Sequence, residues 1–107
     1  MKFNERKFRY YARLGSPYRE WDEKLMNVLR EAGNCFPSYE NGAHEFLMSV
    51  QKEGKYKRSK LFNIVCPCDG SDITVDIIDN MDKEETEMAM NKVIDFVCVM
   101  TQHGYIE

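Results

Sequence analysis

The residues with ligand or nucleophile chemistry are few: Cys35, Cys66, Cys68, Cys98, His44 and His103. Cys66-Pro67-Cys68 is a C-x-C pair, not the C-x-x-C of zinc knuckles or thioredoxin-like sites. The two histidines complete a metal set only if the fold brings distant segments together. The four cysteines are therefore expected to be metal-free, acting as small hydrophobes in the interior. Replacing Cys98 by Ala is then expected to cost packing and no function. No cofactor is expected.

The carboxylates give no sharper signal. Asp69-Gly70-Ser71-Asp72 lacks the ligand spacing and terminal glutamate of an EF-hand loop. Asp72 and Asp76 share a strand face roughly 13 Å apart, too far to chelate one ion unaided. Asp76, Asp79 and Asp82 are spaced to meet around a strand-to-helix turn, but helix capping accounts for them equally well. The six glycines are scattered, so no phosphate cradle is formed. No G-x-S-x-G elbow is present. The chain is read as non-enzymatic, with a small metal-dependent hydrolase or a ligand-sequestering protein kept as a remote alternative.

The elements that must carry these residues read as α+β. Residues Asn4 to Gly15 fit a helix with Asn4 as cap and Phe3 stapled to Phe8, although Phe8, Tyr10, Ala12 and Leu14 also alternate as a strand does. Ser16 to Gly33 reads as a helix burying Trp21, Leu25, Val28, Leu29 and Ala32. After the Phe36-Pro37 break, Ala43, Phe46, Leu47 and Val50 recur at helical spacing, with Ser38 or Asn41 as cap and Gly54 as stop. Two apolar runs, Leu61–Cys66 and Ile73–Ile78, flank Asp69-Gly70. They predict a hairpin with a type I′ turn, Phe62 opposite Ile77, Ile64 opposite Val75 and Cys66 opposite Ile73, all on the buried face. A last helix starts at Asp79 or Asn80 and ends near His103-Gly104. Its apolar residues cover most of the circumference, which places it centrally. The expected architecture is an antiparallel hairpin, a three-stranded sheet being the other option, packed on about three to four helices.

Bulk properties limit the setting. A chain of 107 residues is read as a single domain, 1–107. Its 43% hydrophobic and 31% charged content suits a folded globule rather than a disordered one. The apolar runs are too short to cross a bilayer. No apolar stretch follows Lys2 and Lys7, so a cytoplasmic location is expected.

Charge is divided along the chain. Residues 1–60 hold 13 bases against 8 acids, a net +5; residues 61–107 hold 2 bases against 10 acids, a net −8. Either the halves neutralise each other or one faces a partner. The favoured reading is a small non-enzymatic binding protein, an inhibitor, adaptor or regulator. It uses Asp69, Asp72, Asp76, Asp79, Glu84, Glu85 and Glu87 against a basic protein surface. A short chain rich in Met, Tyr and Lys and poor in Ala suits a phage or mobile element. A nucleic-acid-processing enzyme is then a natural target. The alternative is a nucleic-acid-binding module that sets cations and rings, Lys7, Arg9, Tyr10, Arg13, Lys57 and Arg58, against phosphates and bases.

Overall fold

Asn41 and Gly42 have φ of 52° and 76°, the positive values at both central positions that a type I′ turn requires. In the computed structural model, which describes residues 1–11, 27–33, 35–53 and 58–107, this turn joins β1 (Phe36–Glu40) to β2 (Ala43–Val50). Glu40 pairs with Ala43 across it. The helix expected over Ala43–Val50 is thus replaced by strands. Spacing at three and four fits Ala43, Phe46, Leu47 and Val50, but burial follows the alternation of Phe46, Met48 and Val50 with Glu45, Leu47 and Ser49. Asn-Gly between two such runs favours a hairpin, and pairing to β3 (Lys60–Pro67) settles it.

β3 pairs onward with β4 (Thr74–Ile77), giving a four-stranded antiparallel sheet in the order β1-β2-β3-β4. This is more sheet than the sequence suggests, the helix expected over Ala43–Val50 being strand. The register is the one expected: Phe62 opposite Ile77, Asn63 opposite Asp76, Ile64 opposite Val75. The turn is not. Gly70 alone has positive φ, 85°, while the Asp69 carboxylate accepts hydrogen bonds from the Ser71 amide at 2.9 Å and hydroxyl at 2.6 Å. That side-chain turn replaces the type I′ geometry. The β3–β4 ladder stops at Val65–Thr74, and Asp72 bridges to Lys2 instead.

α1 (Glu5–Tyr11) confirms helix over those residues, and Asn4 caps it by accepting from the Lys7 amide at 3.2 Å. Seven residues are too few for a stable isolated helix, so packing holds it. Phe3 and Phe8 lie 5.2 Å apart, the expected staple. The continuation to Gly15 lies outside the described residues. So does most of the Ser16–Gly33 helix; its end is described, helical over 27–31 with Val28, Leu29 and Ala32 buried.

α2 (Lys83–Gln102) is capped by Asp82 rather than Asp79 or Asn80. The Asp82 carboxylate accepts from the Glu85 amide at 2.8 Å, and Glu85 Oε1 accepts from the Asp82 amide at 3.0 Å, a reciprocal capping box. His103 ends the helix and Gly104, at φ 79°, turns the chain away. α2 lies on β2 and β3 and buries Ala89, Phe96 and Met100. It is not enclosed, because Met90 and Ile94 are each 59% exposed. Among described residues no helix is long and apolar enough to cross a membrane.

One core cluster joins these elements. Phe8, Phe46, Phe62 and Phe96 are fully buried, each worth about 1.5–3 kcal/mol of apolar transfer. Phe46 contacts Phe8 edge-on at 5.7 Å and Phe96 at 5.0 Å, tying α1 and α2 to β2. The ends of the chain clasp: Lys2 and Glu107 exchange backbone hydrogen bonds of 3.0 and 2.8 Å, and the Asn4 amide donates to the Tyr105 carbonyl at 2.7 Å.

Candidate protein-binding face

β4 is an edge strand whose four residues are all exposed. Because residues paired across a sheet share a face, Val75 and Ile77 point to the side that Ile64 and Phe62 occupy, the side α2 covers. The helix reaches over β2 and β3 and leaves Val75 41% and Ile77 48% exposed. Their expected burial is therefore corrected: α2 lies over β2 and β3, and the edge strand β4 extends past it. Along α2, Val93 and Val97 are half-buried and Met90 and Ile94 exposed. Val75 and Ile77 on β4 and Met90 and Ile94 on α2 are thus solvent-exposed apolar groups.

The seven acids expected to form a binding surface fall into three groups. Asp72 sits 3.5 Å from Lys2 and 3.9 Å from the terminal amine, Asp79 sits 3.8 Å from Arg58, and Glu84 sits 3.6 Å from Lys52. Lys52 also pairs with Asp82. These pairs show the basic and acidic halves partly neutralising each other. Asp79 Oδ2 accepts from the Leu61 amide at 2.8 Å, finishing the β3–β4 end. Asp69 is occupied by Ser71, whose hydroxyl and amide hold its carboxyl below the ordinary carboxylate range. Glu85 is buried in the capping box and faces no partner surface. Asp76 and Glu87 remain, exposed and with no ion pair among the described residues; Asp95, not singled out by sequence, joins them.

Of the basic set, Arg58 is spent partly on Asp79, and Lys7 stands on α1. Arg9 and Tyr10 belong to α1 but their side chains lie outside the description, as do Arg13 and Lys57 entirely.

The cysteines divide. Cys35 and Cys66 are buried, and desolvation pushes both thiols up to about 12. Cys98 is exposed on α2, so it contributes no packing of the kind expected. Cys68 is half-buried and meets two residues from elsewhere in the chain. Its sulfur, a His44 nitrogen and a Glu5 carboxylate oxygen all lie within 4.8 Å of one another. Sequence spacing could not show this trio, since its members come from α1, β2 and the turn after β3. The exposed apolar set had a signal: α2 carries more apolar residues than the roughly 100° stripe a helix needs against one sheet.

No family model matches the chain, and no curated protein or solved structure is significantly similar to it.

Proposed function

We propose that the chain is a small protein-binding module whose working surface is the outer edge of β4 together with the exposed flank of α2. The observation that carries this is the exposure of Val75 and Ile77 on a strand whose outer edge has no partner among the described residues. An unpaired edge offers backbone donors and acceptors to an added strand, and the side chains on either face select its sequence. On the α2 side an incoming strand meets Val75 and Ile77; on the other face it meets Thr74 and Asp76. The matching segment alternates apolar residues with Lys or Arg, and belongs to a basic protein. A nucleic-acid-processing enzyme fits that description.

A second copy fits poorly. The antiparallel β4–β4 pairing that sets Val75 opposite Ile77 also sets Asp76 opposite Asp76, and like charges directly opposite repel. The reading extends to Glu87, which shares the helix flank of Met90 and Ile94 and adds negative field that speeds encounter with a basic surface.

The test begins with capture of the partner on the tagged chain from cells that express it natively, followed by direct binding of the purified pair. Ile77→Asp and the reversal Asp76→Lys with Glu87→Lys should each weaken binding at least about tenfold, and wild-type affinity should fall with salt. Reversal of Arg9, Arg13 and Arg58 should leave it nearly unchanged. If the basic set governs binding and the captured species is RNA or DNA, the face is elsewhere and the protein is a nucleic-acid binder.

A further inference from the structure

The first turn of α1, the start of β2 and the turn after β3 converge at one end of the sheet. Each brings a residue of a different donor type: Glu5, His44 and Cys68. We propose that these three bind a single divalent transition-metal ion of the zinc class, with a fourth position left for water or an incoming ligand. This is independent of the binding face on β4.

Geometry is the first support. Donors held about 2.0–2.3 Å from one tetrahedral ion stand about 3.3–3.7 Å apart. His44 Nε2 and Glu5 Oε1 are 3.6 Å apart, and no pair in the trio exceeds 4.8 Å. The widest separation closes with a shift of about 1 Å, within reach of a half-buried turn residue. Local structure holds each ligand in place. The Cys68 amide donates to the Gly42 carbonyl at 2.9 Å, which seats the thiol beside the β1–β2 turn and next to His44. Glu5 stands in the first turn of α1, a helix pinned by Phe8 in the core.

Surroundings are the second. The Glu5 and His44 side chains are only 15% and 13% exposed. Phe8, Tyr39 and Phe3 ring the imidazole at centroid distances of 4.7, 4.9 and 5.5 Å. Such an apolar wall restricts water and fixes ring orientation, as shells around metal sites do. Charge is the third. A carboxylate, a thiolate and a neutral imidazole bring −2 to a bound divalent cation, so the ion and its ligands together are neutral. The mixed N, S and O set, with one soft sulfur, favours zinc over the hard cations magnesium and calcium, which take oxygen. Bound there, the ion joins the N-terminal helix to two strands.

The full chain, stripped with a chelator and passed through a desalting column, is titrated with cobalt(II) as a spectroscopic substitute and with zinc. The expected result is one equivalent of cobalt giving a thiolate-to-metal charge-transfer band, displaced by zinc, with zinc raising the melting temperature. Cys68→Ser should abolish the band. Glu5→Gln should weaken binding by more than the about 10–100-fold that outer-shell losses cost. Cys98→Ser should change nothing. The far-ultraviolet circular dichroism of Cys68→Ser, a conservative change at a turn, verifies that its fold persists. Absence of the band at stoichiometric cobalt would overturn the proposal, as would metal binding that survives Cys68→Ser and Glu5→Gln unchanged.

Discussion

Phe62 and Ile77 face each other across the β3–β4 ladder, yet Phe62 is wholly buried while Ile77 is about half exposed. Two apolar neighbours on one sheet face therefore do different work, the first filling the core and the second left at its margin. Their energetic roles should separate. Phe62→Ala is expected to cost about 3–5 kcal/mol through lost transfer energy and a cavity. Ile77→Thr keeps the β-branched shape and should stay within about 1 kcal/mol of wild type. Urea unfolding of both variants checks this; equal losses would mean that Ile77 is core.

Gly42 tests the hairpin that sequence periodicity hides. A methyl group there meets nothing within 4 Å, so its cost is conformational alone. At φ 76° Gly42→Ala should lose about 1–2 kcal/mol, whereas Asn41→Gly should change stability by a few tenths. Thermal melts of the two variants distinguish a positive-φ turn from a helix interior, where Gly42→Ala would stabilise instead.

The contrast shows which parts of this fold local chemistry reveals. The Asn4 cap, the Phe3–Phe8 staple, the β3–β4 register and the Gly104 stop each depend on residues close in sequence, and each is legible there. β1 and β2 are not, because Ala43, Phe46, Leu47 and Val50 satisfy a helical spacing by chance of Leu47, while Asn41-Gly42 carries the stronger signal. Exposure of Val75 and Ile77 depends on how far α2 extends over the sheet, a tertiary fact. The meeting of Glu5, His44 and Cys68 depends on three chain segments folding to one end, which no spacing encodes.

Thiol burial predicts a pH dependence. Desolvation, the largest cause for both, raises the Cys35 and Cys66 thiols from 9.0 to about 12. Below pH 9 folded and unfolded chains both hold these protons, so the contribution is constant. Between about 9 and 12 the unfolded chain ionises first, and stability falls by roughly 1.4 kcal/mol per pH unit for each thiol. Cys66→Ala should flatten that decline in urea titrations run at successive pH, and Cys98→Ala should not. In native protein a thiol reagent at pH 8 should modify Cys98 readily and leave Cys35 and Cys66 protected until unfolding.

Asp82 predicts the opposite limb. Its carboxyl is held below the ordinary 3.8 chiefly by the Glu85 amide, then by Lys52. The stabilisation it gives is present above that value and is lost as pH falls through the lowered one. Asp82→Ala should lower the melting temperature at pH 7 and remove this acid-limb dependence. Asp82→Asn, a neutral cap of similar reach, should restore most of the loss. Equal melting temperatures for the Ala variant and wild type would place the helix start elsewhere.

The central claim is that β4 and the outer flank of α2 receive a protein partner, and amide hydrogen exchange reads it most directly. With the captured, purified partner at saturation, the outward amides of Thr74–Ile77 should exchange more slowly, as an added strand hydrogen-bonds them. Residues 87–97 should gain protection beside them, and α1 should not change. Protection confined to residues 5–11 and 58–60, with residues 74–77 exchanging as in the free chain, would contradict the account and move the working surface to the basic side.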